Sequence, residues 1–431
     1  MKIFCWEKNL LGWIEKHFTG IAVALIVLLS LLIRYVNRGF VSTDALTFTL
    51  PWYDQIQNAG GLAALKSQVG DYNLLYQFLI ALMTYLPFSS IAKYKALSIL
   101  FDYALAYAVG KFAFLLVKPY ITEKKSAGAS GGILYGIVAD ERTFVLLVAS
   151  AVCMMPSVIM NSSLWAQCDS IYTFFIVWAL IALFKDQDIL SMIMLGFAFS
   201  FKLQTIFVLP FFLIWYFYRR RFSVLNFLLI PVVMIVTSLP AVVYGRSVFD
   251  TFRIYFGQTD TYHFMAMNIP NIWLLMGGNY DYNKKPAVFV TIAVFIFLVW
   301  VLRWRKDLLD TPKSALSVMC FTWWTALMFL PGMHERYGYL LDVMLPLAAL
   351  AEGVSLRMHR AAGSAPVRLA GYWIIAILQQ IVSLITYSKY LFGTVYSPGP
   401  LSILYMGMYG CFACLLFGGE RKGISIGNPE N

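Results

Sequence analysis

Four groups of polar side chains interrupt an otherwise apolar chain. Asp44, Asp54 and Asp71 share one early segment; Gln167 and Asp169 lie in "WAQCDS"; Lys202 and Gln204 lie in "FKLQ"; and His334, Glu335, Arg336 and Tyr337 form the run "HERY". Two chemistries follow from these residue types. A carboxylate can take the proton of a hydroxyl as that hydroxyl attacks, which is general-base work. Lysine and arginine can hold anionic oxygens through charge-assisted hydrogen bonds, arginine with both prongs of its fork. Where a bond to phosphate breaks, the same cations stabilise the charge growing on the leaving oxygen. The combination suits a sugar carried on a lipid phosphate, with the phosphate at headgroup level and the tail in hydrocarbon.

Within that chemistry, Asp44 is the first choice for the base, because it follows the first long apolar stretch by only a few residues. Asp54, in "PWYD", and Asp71, in "GDYN", compete with it. On one continuous helix Asp44 and Asp54 would point in roughly similar directions, about 15 Å apart; one could be the base and the other could bind sugar hydroxyls. Asp71 reads equally well as a solvated or capping residue, and Tyr72 beside it joins the substrate-binding candidates. Gln167 and Asp169 could bind sugar, or Asp169 could cap the helix that begins beside it. Lys202, Gln204 and the "HERY" residues are the candidates for the donor phosphate. His334 is either pH-sensitive or a hydrogen-bonded structural histidine. No metal or cofactor is expected.

The elements that must position these residues are set by composition. Of the 431 residues, 60% are hydrophobic and 13% charged, against roughly 25% charged in a soluble domain. Mean hydropathy is +0.71. Apolar runs near twenty residues recur along the whole length, each able to cross a ~30 Å hydrocarbon core as a helix. The alternating ten-residue pattern of a membrane β-barrel is missing. The chain therefore reads as one all-α polytopic membrane domain, residues 1–431. Spans are expected at 20–35, 97–117, 143–160, 171–184, 189–201, 206–218, 222–244, 288–302, 315–330, 340–351, 370–387 and 401–417. The runs 189–201 and 206–218 are short for a bilayer, and the break at Lys202 and Gln204 suggests a cavity.

The net charge of +11 is not a nucleic-acid signal. Its lysines and arginines sit at span ends, as they do in the cytoplasmic loops of membrane proteins. Lys2, Lys8 and Lys16, then Lys118, Lys124 and Lys125, Arg219 to Arg221, Arg303, Arg305 and Lys306, Arg357, Arg360 and Arg368, and finally Arg421 and Lys422 all fall on one side if both termini are cytoplasmic. Residues 37–95 and 245–286 are then external loops. The apolar stretch 73–88 must be interfacial or re-entrant, since a full crossing there would invert everything downstream. The N-terminal twenty residues are too polar to be a cleaved signal peptide. Cys411 and Cys414 have metal-ligand spacing but no second pair, and read as packing.

The aspartate in the first external loop, followed by "GDY", "WAQCDS", "FKLQ…LP" and "HERY", resembles the polyprenyl-phosphate-sugar-dependent glycosyltransferases of the GT-C fold. The pattern is most similar to the PIG-V-related (Gpi18-like) mannosyltransferase group of bacteria, over residues 42 to about 345. The resemblance implies a GT-C-like bundle of about 12 transmembrane helices in the bacterial plasma membrane. It also implies a metal-independent, inverting transfer on the external face, with a lipid-linked or cell-surface glycan as acceptor. It would place Asp44 as catalytic base and Lys202 with the "HERY" residues at the donor phosphate. Two other classes would use similar polar residues: a flippase or transporter of lipid-linked glycans, and a polysaccharide polymerase or ligase. A transporter predicts internal repeats, which the sequence does not show; a polymerase typically carries its large external loop late in the chain.

Overall fold

The computed structural model describes residues 5–126, 133–258, 263–359 and 365–418. Of the basic residues used for orientation, Lys2, Arg360, Arg421 and Lys422 lie outside them. The chain opens with α1 (Cys5–Val36), followed by α2 (Leu50–Asn58), α3 (Leu74–Met83) and α4 (Ser90–Ser126). After α5 (Glu141–Cys153) come three shorter helices, α6 (Asp169–Phe184), α7 (Asp188–Phe201) and α8 (Leu209–Arg219). The remainder holds α9 (Leu229–Val243), α10 (Tyr280–Trp304), α11 (Pro312–Phe329), α12 (Tyr339–His359), α13 (Ala365–Phe392) and α14 (Pro398–Phe417). The only sheet among the described residues is one parallel pairing of β1 (Ala266–Met267) with β2 (Met333–His334).

Among the described residues, seven helices are long and apolar enough to cross a membrane, or eight if Glu141–Cys153 and Pro156–Leu164 count as one span bent by 60°. The bend falls where Pro156 opens the second piece; proline removes a backbone donor and disfavours helix in the residue before it. Every expected span overlaps a helix, but the expected twelve crossings are not reached on length and apolarity. With 16 and 14 residues, α6 and α7 rise only about 24 and 21 Å, less than a ~30 Å hydrocarbon core. At ten residues, α3 rises about 15 Å.

Burial sorts the helices. The span windows of α1, α9 and α10 are only 11, 22 and 22% buried, so their apolar faces are left for lipid. By contrast, α11 is buried continuously from Ala315 to Met328, and α12 is 78% buried over its span window. Against α12 packs α4, which carries both α5 and α6, and α6 in turn carries α7; α13 lies on α12 and α14 on α11. Cys411 and Cys414 are exposed on α14 rather than packed, which corrects the expectation for that pair.

Among the described residues two π-turns interrupt the α-helical pattern, Ala45–Thr49 and Met160–Leu164. In a π-turn the hydrogen bond reaches five residues instead of four, so one extra residue enters a turn. Each lies directly beside a polar cluster.

Candidate functional site

The path to Asp44 is fixed before Asp44 is reached. A short 3₁₀ turn, Asn37–Gly39, ends α1, and the buried Lys95 of α4 donates to the carbonyls of Asn37 (2.8 Å) and Phe40 (2.6 Å). Asp44 then opens the helix that continues through the π-turn into α2, and its side chain is half-buried. Its Oδ2 accepts two hydrogen bonds, from Trp165 Nε1 at 2.9 Å and from Gln167 Nε2 at 3.0 Å. Both fall on one oxygen, which leaves Oδ1 without a hydrogen bond among the described residues.

The partners come from "WAQCDS". The second π-turn delivers Trp165, and Ala166 then takes a left-handed backbone, φ 61°, which is uncommon for a residue with a Cβ. The indole of Trp165 stacks on Tyr390 at 5.4 Å and meets Tyr387 edge-on at 5.2 Å. Above it sits the Arg336 guanidinium, 5.2 Å from the ring centre. Arg336 Nη1 also donates to Gln167 Oε1, so one amide joins Arg336 to Asp44.

Asp169 lies deeper. It is fully buried in the first turn of α6 but makes no side-chain cap; its carboxylate pairs with Lys202 and accepts from Asn161 Nδ2 at 2.8 Å. The capping alternative therefore does not hold, because both oxygens are taken by side chains from other turns. Lys202 and the nearby Arg336 guanidinium supply the positive charge that this buried carboxylate needs. Lys202 stands where α7 ends, in extended backbone, φ −155° and ψ 134°. Burial pushes the neighbouring Cys168 thiol up, as befits a packed cysteine rather than a nucleophile.

In "HERY", His334 ends β2 and the other three residues enter a 3₁₀ turn, Glu335–Gly338, which Trp323 Nε1 holds by donating to the Tyr337 carbonyl at 2.9 Å. Glu335 is buried between His334 Nδ1 (3.4 Å) and Arg336 Nε (3.6 Å). The Tyr337 ring packs on Phe207 and His334, with Gln204 close beside it. Asp44, Gln167, Asp169, Lys202, Gln204 and all four "HERY" residues thus converge on one recess. Three carboxylates (Asp44, Asp169, Glu335) face two cations (Lys202, Arg336) in it.

Three candidates lie apart from that centre. Asp54 is exposed on α2, and the expected shared direction with Asp44 fails: ten residues at about 100° each leave the two about 80° apart even on a regular helix, and the π-turn between them shifts the face further. Asp71 is half-buried, with its carbonyl accepting from Gln258 Nε2 at 2.7 Å. Tyr72 is buried, its hydroxyl 2.6 Å from that of Tyr94. Lys202, a candidate for the donor phosphate, is paired with Asp169. Sequence reasoning passed over Trp165, Asn161 and Tyr390. The first two sit inside or beside a motif already singled out; nothing local marks Tyr390.

Among the described residues no group of three His, Cys, Asp or Glu side chains is placed to hold a metal ion. Compared with models of known protein families and with curated proteins, the chain matches none.

Proposed function

We propose that the chain is a GT-C-like membrane glycosyltransferase. It moves a hexose, mannose favoured, from a polyprenyl-phosphate donor to a lipid-linked or cell-surface glycan acceptor on the external face of the bacterial plasma membrane. Both termini are cytoplasmic in this reading, and the short helices α6, α7 and α8 complete a bundle of about twelve crossings around the recess. The observation that carries it is Asp44: one carboxylate oxygen is tied by two N–H donors and the other is left to accept a proton, within an electrostatic environment shared with Arg336.

The acceptor hydroxyl oxygen attacks the anomeric carbon while its proton passes to Asp44 Oδ1. The carbon–phosphate-oxygen bond breaks on the opposite face, its electron pair leaving with the phosphate, so configuration inverts. Arg336 stabilises the charge developing on that phosphate. No cofactor takes part. Incubating the purified protein in nanodiscs with polyprenyl-phosphate hexoses, and comparing membrane glycolipids with and without the protein by mass spectrometry, tests the reading. The expected result is one hexose gained by an acceptor; an unchanged glycolipid profile together with no transfer would sink it.

One observation favours a second reading, a flippase or transporter. Arg34 and Asp102 form a fully buried pair at 2.9 Å between two spans, and charges inside a membrane often mark a pathway. Movement of a labelled lipid-linked glycan across proteoliposomes without any sugar transfer would support it. A polymerase or ligase would instead join whole glycan chains in the same assay.

A further inference from the structure

The inner cations of the recess already have anionic partners. Lys202 pairs with Asp169, and Arg336 shares its charge among Asp169, Asp44 and Glu335. A phosphate arriving there meets more negative than positive charge, so its first handle must be a cation that no carboxylate has claimed. Three lysines around the recess have only neutral partners. Lys93 donates to the Tyr53 hydroxyl and Lys95 to two backbone carbonyls, and both are closed off, at 5 and 3% exposure. Lys389, at the end of α13, is exposed, and its one hydrogen bond among the described residues goes to Asn268 Oδ1 at 3.0 Å.

Asn268 is itself unusual. It is 8% exposed, takes a left-handed backbone with φ 73°, and forms a bridge with His334. Its carbonyl accepts from the Tyr396 hydroxyl at 3.2 Å. The ammonium of Lys389 can only donate, so the amide must turn its oxygen to it, and Nδ2 is left buried without a partner. A buried donor with no acceptor is costly unless something supplies one. Strained non-glycine backbone of this kind clusters at ligand sites. Position fits as well: Lys389 is next to Tyr390, which stacks on Trp165, and Asn268 pairs with the strand that leads into Arg336.

We infer that Lys389 Nζ and Asn268 Nδ2 form the entry site for the phosphate of a polyprenyl-phosphate donor, at the rim of the recess above His334 and Arg336. The inference rests on the transferase reading and moves the donor phosphate away from Lys202. Phosphate oxygens would accept from both donors, and Arg336 would act on them as the leaving charge grows.

The full-length protein in phosphatidylcholine nanodiscs is titrated with a polyprenyl phosphate, with the matching polyprenol and with phosphatidylglycerol. The wild type is expected to hold the phosphate at least about tenfold tighter than the alcohol, the free-energy equivalent of about 1.4 kcal/mol. Lys389→Gln and Asn268→Gly should each lose most of that preference without a change in melting temperature, and Lys389→Arg should keep it. Glycine accepts the left-handed backbone at position 268, and Lys389, being exposed, carries the test should the Asn268 variant misfold. Full preference in folded Lys389→Gln overturns the inference while leaving the transferase reading intact. A wild type that ignores the phosphate removes both, and phosphatidylglycerol binding equally well overturns the assignment to the donor.

Discussion

The carboxylate of Asp44 and the guanidinium of Arg336 are joined through a single side chain. Gln167 donates to Asp44 Oδ2 at 3.0 Å and accepts from Arg336 Nη1, so its amide has one orientation that satisfies both neighbours. A proton acceptor and a cation drawn from distant parts of the chain are thereby held at a fixed separation on one recess. The spacing suits a reaction that gains a proton at one point and sheds negative charge at another.

Asp44→Asn should abolish most activity without unfolding the protein. The asparagine oxygen can still receive Trp165 and Gln167, but a donating NH₂ then occupies the place of the free oxygen. Loss of a general base typically costs about 10²–10⁴-fold in rate, and sugar transfer in nanodiscs should fall by that much. Asp54→Asn, on the exposed face of α2, should change little. A dead Asp54→Asn beside an active Asp44→Asn would reverse the assignment.

Trp165→Phe keeps the stack on Tyr390 but deletes the N–H that reaches Asp44. A hydrogen bond to a charged group contributes about 1.5–3 kcal/mol, so turnover should drop by tens of fold while the melting temperature stays close to that of the wild type. An unchanged rate would mean that the indole serves packing alone.

Lys202→Ala should destabilise the fold, because it strands the buried Asp169 carboxylate; such one-sided deletions cost about 3–5 kcal/mol. Lys202→Met combined with Asp169→Asn should recover much of the loss.

Sidedness can be read by single-cysteine labelling in a cysteine-free background. An impermeant reagent should modify cysteines placed at 44 and 336 from outside and leave one at 124 untouched. External labelling at 124 would invert the scheme and remove the external recess.

The helical class and the positions of the apolar segments were legible because composition and run length are properties of the chain itself. Crossing number was less so: α6 and α7 are apolar enough to read as spans yet too short to be complete ones, and nothing local says what covers their ends. Asp169, Lys202 and Arg336 are conspicuous in the sequence because charge is scarce here; their pairing is not. That Lys202 meets Asp169 depends on how α7 breaks and α6 begins, and no residue in "ALTFT" announces the π-turn that follows Asp44. Lys389 and Asn268 meet only after the chain has folded across more than a hundred residues.

The two π-turns give the recess a tolerance in residue count. Each takes up one surplus residue against the α-helical repeat, one just after Asp44 and one just before Trp165, without turning the flanking helix. Removing one residue from within either would let the helix return to ordinary winding with its two ends in nearly their present directions, whereas the same deletion in a regular helix would rotate them by about 100°. The Asp44–Trp165 contact would then persist. Chains that share these motifs but are one residue shorter between Asp44 and Pro51, or between Pro156 and Trp165, would keep the same geometry.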